Sequence, residues 1–163
     1  VNTKGWEFHG DLDRSADIVD KTVPKGQDKR VDSYSGFYDN GRDAAQALKA
    51  QYPFLGKSTG LAEYIIAEAE KRNAGEILID VVGLAFDYCV AYTAKDARTI
   101  VYRGKQIRVR VILDATKAIA NKPHEIEAKV KELQALGIEV VMSEDVINEI
   151  HASAVIPYPP MMH

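Results

Sequence analysis

One cysteine stands where a strand pattern gives way to a helix pattern. The stretch from Val81 to Ala97 reads VVGLAFDYCVAYTAKDA, with Cys89 just past the apolar run. The pattern predicts a buried strand, a tight turn and a helix that has Cys89 in or near its first turn. A helix N-terminus stabilises a thiolate, and its free N–H groups can hold a developing oxyanion. The position therefore favours a nucleophilic thiol, whereas a free cysteine elsewhere is usually a small buried hydrophobe.

The elements that must position this cysteine alternate along the chain. Val/Ile-rich segments predict strands at Asp17–Val23, Glu76–Leu84, Arg108–Ala115 and Ile138–Met142, the second of them buried at the centre of a sheet. Helical spacing predicts helices at Ser58–Arg72, Tyr88–Tyr102, Pro123–Leu136 and Ser143–His151. This order predicts an α/β fold, a three-layer, Rossmann-like parallel sheet flanked by helices. Ligands of such sheets bind at the carboxyl ends of the strands, where the loops after Val23, Leu84 and Ala115 lie.

Length and composition bound the class of protein. The chain has 163 residues and a mass of 18.0 kDa, which predicts a single α/β domain over residues 1–163. Its 21 basic and 24 acidic residues give a net charge of -3, which argues against nucleic acid or a membrane surface as the partner. The single cysteine excludes an intrachain disulfide and favours a reducing, cytoplasmic location.

Three motifs together resemble one enzyme family. The stretch around Cys89 is similar to the nucleophile motif of the nicotinamidases (pyrazinamidases), in the isochorismatase-like cysteine hydrolase superfamily. Upstream, Lys25-Gly26 followed by DSYSGF at 32–37 and Asp39-Asn40 resembles the lysine loop of that family. The segment at 2–9 resembles the stretch that follows its metal-binding histidine, and Asp114-Ala115 also fits. The resemblance covers roughly residues 1–142 in order.

The resemblance implies hydrolysis of nicotinamide to nicotinate and ammonia through a cysteine thioester, in NAD salvage, with pyrazinamide as a further substrate. It makes Cys89 the nucleophile and Lys25 the catalytic lysine. The backbone N–H groups of Ala85 and Cys89 would form the oxyanion hole, with a cis peptide bond before Ala85. Three residues are expected beside the substrate ring: Tyr34, Leu84 and Tyr88. A carboxamide carbon needs a strong nucleophile, which a thiolate next to an ammonium supplies.

The chain departs from the family pattern at its start. The catalytic aspartate and the metal ligands of the family, an Asp and two His, precede the segment that matches Val1. We therefore expect no metal ligand in this chain, and a divalent metal (zinc first, iron or manganese as alternatives) bound by upstream residues. The 163 residues would be the C-terminal portion of a longer nicotinamidase, incomplete at the N-terminus and bound to its upstream segment. A second copy of the chain, in a homo-oligomer, is a further expected partner.

Two other functions stay open. One lies within the superfamily: an amidase for another small amide, or an isochorismatase-like hydrolase, which a substrate panel would distinguish. The other is an inactive fragment that serves as a binding module, which the lack of a matching aspartate and of metal ligands favours.

Overall fold

The computed structural model describes residues 20–154, without the side chains of the last two. The elements are α1 (Gln46–Gln51), α2 (Leu61–Lys71), β1 (Leu78–Leu84), a π-helical turn (Phe86–Val90), α3 (Ala91–Arg98), β2 (Val101–Tyr102), β3 (Lys105–Gln106), β4 (Arg108–Lys117), α4 (Pro123–Ala135), β5 (Glu139–Val141) and α5 (Ser143–Ala154). Within the described residues, no helix is long and apolar enough to cross a membrane.

The predicted parallel sheet is confirmed for three strands, in the order β1-β4-β5. In register, Val81 faces Val111 of β4, which faces Val140 of β5. Helices α3 and α4, which connect these strands, pack on one face of the sheet, and α5 packs against β4. The most deeply buried large side chains are Phe37, Phe86, Val109, Val111, Leu133 and Ile138. The core therefore lies under α3 and α4, and it also receives Phe37 from the loop before α1.

Alternate residues of β4 face opposite sides of the sheet. Val109 and Val111 belong to the core, whereas the Arg110 guanidinium makes two hydrogen bonds to Asp80 of β1, at 2.7 and 2.9 Å, and an ion pair with Glu149 of α5. The Arg110 side chain is 6% exposed. One buried arginine thus joins two strands and a helix on the second face of the sheet.

Two strand predictions are wrong in part. Within Asp17–Val23, residues 20–23 form no strand, and 17–19 lie outside the described residues. Segment Glu76–Leu84 does form a strand, but among the described residues it lies at the edge of the sheet, with Val82 53% and Leu84 73% exposed. The apolar run of this segment predicted that helices cover both faces of the strand. On the second face of the sheet, however, helix α5 packs against β4.

The predicted helix Tyr88–Tyr102 ends four residues early, at Arg98. Residues 101–106 form a hairpin in which Tyr102 of β2 pairs with Lys105 of β3. Its two turn residues, Arg103 and Gly104, have φ of 49° and 79°, as a tight hairpin turn requires. The hairpin thus takes the last residues of the predicted helix, and the Tyr102 hydroxyl donates to the Ala74 carbonyl at 2.9 Å.

The other helices are confirmed with shorter or longer ends. Before α2, the Ser58 and Thr59 hydroxyls accept hydrogen bonds from the Gly60 and Leu61 N–H groups, whereas the N-cap position itself is Gly60 and has no side-chain cap. Helix α4 begins at Pro123, and Gly137 follows its end with φ 74°. Helix α5 begins at Ser143, whose side chain bonds Asp114 instead of capping the helix.

Candidate active site

The cysteine turn connects β1 to α3. The peptide bond between Leu84 and Ala85 is cis, as the resemblance implies. The Ala85 carbonyl accepts hydrogen bonds from the N–H groups of Tyr88 at 3.1 Å and Val90 at 3.0 Å. Val90 is 3% exposed, and the Cys89 thiol is half-buried. Because Phe86 at the start of the turn and Val90 at its end are buried in the core, the thiol is held on a rigid turn at the carboxyl end of β1.

Lys25 lies directly beside the thiol. Its Nζ is 3.4 Å from Cys89 Sγ, 2.7 Å from the Ser33 carbonyl oxygen and 2.9 Å from the Tyr34 carbonyl oxygen. An ammonium has three N–H donors, so each has an acceptor in this arrangement. Two main-chain carbonyls therefore hold the ammonium, and its third N–H faces the sulfur, where a positive charge stabilises a thiolate.

The loop that carries Tyr34 is attached to two helices. The Phe37 side chain is 1% exposed in the core. The Gly36 N–H donates to Thr93 Oγ1 of α3 at 2.9 Å, and the Gly36 carbonyl accepts from Thr59 Oγ1 at 2.7 Å. These bonds place the loop over the start of α3, which brings Lys25 and Cys89 together although they are 64 positions apart in the chain.

A cluster of tyrosine rings borders this centre. The Tyr34 ring lies 5.7 Å from the Tyr88 ring and 5.3 Å from the Tyr92 ring, measured between centroids. The structure thus brings two of the three residues predicted beside the substrate ring into contact. The third, Leu84, adjoins the cysteine turn at the end of β1 and is 73% exposed, so the described residues do not enclose it. Tyr92 was not predicted; its spacing of four from Tyr88 on a predicted helix was the available signal.

Asp87 is a second residue that the sequence did not single out. Its carboxylate accepts hydrogen bonds from the backbone N–H groups of Ile119 at 2.9 Å and Ala120 at 2.8 Å. Burial acts to raise the pKa of Asp87, but these hydrogen bonds hold it below the usual value. The cysteine turn is thereby fastened to the segment that follows β4.

Asp114, in the second half of β4, makes a structural contact. Its carboxylate accepts from the Ser143 hydroxyl at 2.5 Å and from the Ser143 N–H at 2.8 Å. These hydrogen bonds, the hydroxyl first, lower the pKa of Asp114. The carboxylate is therefore engaged with the start of α5, on a different element from Cys89.

The metal implied by the resemblance does not fit the described residues. In residues 20–154, no group of three or more His, Cys, Asp or Glu side chains is close enough to hold a metal ion. Over the same range, no carboxylate pairs with Lys25, whose three contacts are the two carbonyls and the sulfur. The described residues thus supply a thiol and an ammonium.

Comparison with known proteins gives relatives of one kind. The chain matches no family model. A nicotinamidase from Schizosaccharomyces pombe is 30% identical over 146 residues, which are 90% of this chain and 53% of that protein. The structure of the yeast nicotinamidase bound to the inhibitor nicotinaldehyde is 28% identical, with a TM-score of 0.58 over 81% of this chain and 50% of that one.

A further similar structure is that of PnC1 from L. infantum in complex with nicotinate. It is 28% identical, with a TM-score of 0.54 over 75% of this chain and 48% of that one. The predicted isochorismatase-like fold is thus confirmed. The sequence relationship and the shared fold make this chain similar to the nicotinamidases, and it spans about half the length of the curated relatives that it matches.

Proposed function

We propose that this protein hydrolyses nicotinamide to nicotinate and ammonia, with Cys89 as the nucleophile. The observation that carries the proposal is the 3.4 Å contact between Lys25 Nζ and Cys89 Sγ on the turn after β1. Relatives named nicotinamidase, and a similar structure that holds nicotinate, support this choice of substrate. Pyrazinamide, a carboxamide on a similar ring, is the second substrate that we propose.

The reaction has two balanced steps. Sulfur attacks the carboxamide carbon and forms a C–S bond, the C–N bond breaks, and the thiol proton leaves with ammonia. Water then attacks the thioester, which releases nicotinate and restores the thiol. Lys25 stabilises the thiolate before attack. The backbone N–H groups of Ala85 and Cys89 face the carbonyl oxygen and stabilise the charge that develops on it.

The tyrosine cluster supplies the ring-binding surface in this proposal. Tyr34 and Tyr88 present aromatic faces and edges on which a pyridine ring can stack. Leu84 adds an apolar contact at the mouth of the site. Leu84 precedes the cysteine turn, and Tyr88 lies in it next to Cys89. A ring bound against these two residues therefore presents its carboxamide to the Cys89 sulfur.

Substitution of the nucleophile tests the proposal. Cys89→Ala removes the sulfur, so we expect release of nicotinate and ammonia from nicotinamide to fall to the background rate. Mass spectrometry of the unsubstituted chain, quenched during turnover, should show a nicotinoyl adduct on Cys89. Ammonia release by Cys89→Ala at the unsubstituted rate would refute the proposal. Pyrazinamide and unrelated small amides in the same assay distinguish a nicotinamidase from another amidase.

Binding without turnover is the second candidate function. It is favoured by the absence, within residues 20–154, of a carboxylate paired with Lys25. The discriminating result is nicotinate binding to the isolated chain, measured by calorimetry, with no ammonia released from nicotinamide. Metal analysis of the same sample tests the divalent ion, zinc, iron or manganese, that the family resemblance implies. A nucleophilic thiol also requires a reducing compartment, which supports a cytoplasmic location.

A further inference from the structure

Tyr34 has a second aromatic neighbour that the proposed chemistry does not use. The Tyr92 ring lies 5.3 Å from the Tyr34 ring at an interplanar angle of 45°, closer than the Tyr88 ring at 5.7 Å. Tyr88 lies in the π-helical turn, and Tyr92 lies in the first turn of α3. The Tyr34 ring therefore contacts both at once.

Tyr92 has a second support on its own helix. The Lys95 ammonium of α3 lies 5.3 Å from the centroid of the Tyr92 ring, and it forms an ion pair with Glu132 of α4. A cation over an aromatic face is attracted to the ring. The Tyr92 ring thus contacts a charged group that α4 holds in place through Glu132.

The next residue of α3 holds the same loop. Thr93 Oγ1 accepts the Gly36 N–H at 2.9 Å, two residues after Tyr34. Two successive residues of α3 therefore contact the loop: Tyr92 contacts the Tyr34 ring, and the Thr93 hydroxyl binds the main chain of Gly36. The side chain of Tyr34 is held by Tyr92, while its carbonyl binds Lys25.

We propose that Tyr92 is a positioning residue of the carboxamide pocket: it holds the Tyr34 ring in the orientation that borders the substrate ring. This proposal rests on the proposed function. Tyr92 acts through Tyr34 and touches no reacting atom. Its removal is therefore expected to weaken binding of the ring without changing the reactivity of the Cys89 thiol.

The first measurement reports on the Tyr34 ring without any ligand. The chain is labelled with 3-fluorotyrosine, and the Tyr34 fluorine signal is assigned with Tyr34→Phe. Tyr92→Leu should increase the mobility of the Tyr34 ring, seen as slower transverse relaxation of its signal. Tyr92→Phe keeps the ring and should leave the relaxation unchanged. Tyr52→Leu is the matched control, because Tyr52 is also exposed and pairs with another ring, Phe54, at 5.8 Å.

The second measurement is nicotinate affinity by calorimetry. Tyr92→Leu should weaken binding by about three- to ten-fold, the range that the loss of one aromatic pair produces, while Tyr92→Phe and Tyr52→Leu stay within about two-fold. Alkylation of Cys89 by iodoacetamide should proceed at the same rate in all variants. Lys95→Met removes the second support of Tyr92 and should loosen Tyr34 in the same direction; it decides the question if Tyr92→Leu does not fold.

The outcomes separate the two proposals. An unchanged Tyr34 relaxation in Tyr92→Leu overturns the positioning role, as does a mobile Tyr34 ring with unchanged nicotinate affinity. Equal loss in Tyr92→Phe and Tyr92→Leu would assign the effect to the hydroxyl and also overturns it. If the unsubstituted chain binds no nicotinate while Tyr92→Leu frees the Tyr34 ring, the proposed function fails and the positioning of Tyr34 by Tyr92 is supported.

Discussion

Lys25 is held by the main chain of its own loop. Both carbonyls that accept its N–H groups, those of Ser33 and Tyr34, belong to the segment that Gly36 and Phe37 attach to the rest of the fold. The ammonium is therefore presented to Cys89 by backbone geometry. At the scale of the residue, the charge on this one side chain is expected to set the reactivity of the thiol.

Lys25→Met removes that charge while keeping the length of the side chain. At neutral pH we expect alkylation of Cys89 by iodoacetamide to slow by roughly ten-fold, because a nearby cation stabilises the reactive thiolate. Intact-mass spectrometry against time measures the rate. Lys29→Met, at an exposed lysine of the same loop, is the control and should react like the unsubstituted chain. Equal rates in all three proteins would contradict the role of Lys25.

Asp87 gives a pH-dependent prediction. The pKa of Asp87 is lower in the folded chain than its usual value. Its two hydrogen bonds therefore stabilise the fold fully when the pH is above the usual pKa, and this stabilisation is lost as the pH falls through the folded pKa. Asp87→Asn keeps one acceptor oxygen and replaces the other with an NH2 donor, so one of the two hydrogen bonds is lost and the other loses its charge. At neutral pH the free energy of unfolding should fall by about 1–2 kcal/mol. Urea unfolding should show that the variant and the unsubstituted chain differ less in free energy of unfolding as the pH is lowered towards about 3.

The control for this prediction is Asp43→Asn, at an exposed position of the loop before α1. It should leave the free energy of unfolding unchanged at both pH values. A deficit of Asp87→Asn that stays constant from neutral to acid pH would show that the carboxylate charge does not carry the stabilisation.

Arg110 joins three elements. It is the third residue of β4, and it binds Asp80 of β1 and Glu149 of α5 while its own side chain is 6% exposed. A neighbouring arginine on the same strand offers a comparison: Arg108 pairs with Glu139, and both side chains are 45% exposed. A charge that loses its partner is costly when buried and inexpensive when solvated.

Asp80→Ala should therefore destabilise the chain by about 2–3 kcal/mol, below the full cost of a broken buried pair because Glu149 remains beside Arg110. Glu139→Ala removes the partner of Arg108 and should cost less than about 1 kcal/mol. Chemical unfolding of the two variants under one condition compares them directly. Similar losses would mean that burial of Arg110 does not determine the strength of its ion pairs.

Elements with a local signal could be predicted, and those defined by distant partners could not. Val/Ile runs identify β1, β4 and β5, while Pro123 and Gly137 mark the ends of α4. The hairpin was missed because the segment before its turn, Arg103-Gly104, has helical spacing in the sequence. The positive φ values of both turn residues are visible only in the structure. The fastening of Asp87 to residues 119 and 120 depends on the tertiary fold, so no local pattern predicts it.

Across the whole molecule, the position of Cys89 indicated a nucleophile, but the rest of the site could be predicted only through the family resemblance. Lys25 and Cys89 are 64 positions apart, and neither spacing nor propensity predicts their contact. The motifs identified both residues, along with Tyr34 and Tyr88, and the fold brings these four together. Tyr92 was not predicted, since its role depends on a ring that arrives from a different part of the chain.

The edge of the sheet at β1 gives a prediction for the whole molecule. Among the described residues no strand pairs with that edge, and Val82 is 53% and Leu84 73% exposed there. Such a strand favours pairing between chains. Light scattering should show association of the 163-residue chain that rises with concentration, and Val82→Lys should reduce it. Leu136→Lys, at an exposed apolar residue after α4, is the control and should leave association unchanged.

The main-chain anchorage of Lys25 has a consequence for redesign. Because the ammonium is bound by carbonyl oxygens, which every amino acid possesses, the side chains at positions 33 and 34 can be exchanged without removing its acceptors. A library randomised at these two positions would therefore vary the ring-binding wall while retaining the nucleophile. Because the acceptors of Lys25 do not depend on these two side chains, natural selection could change which amide binds while the way the amide is cleaved stays the same.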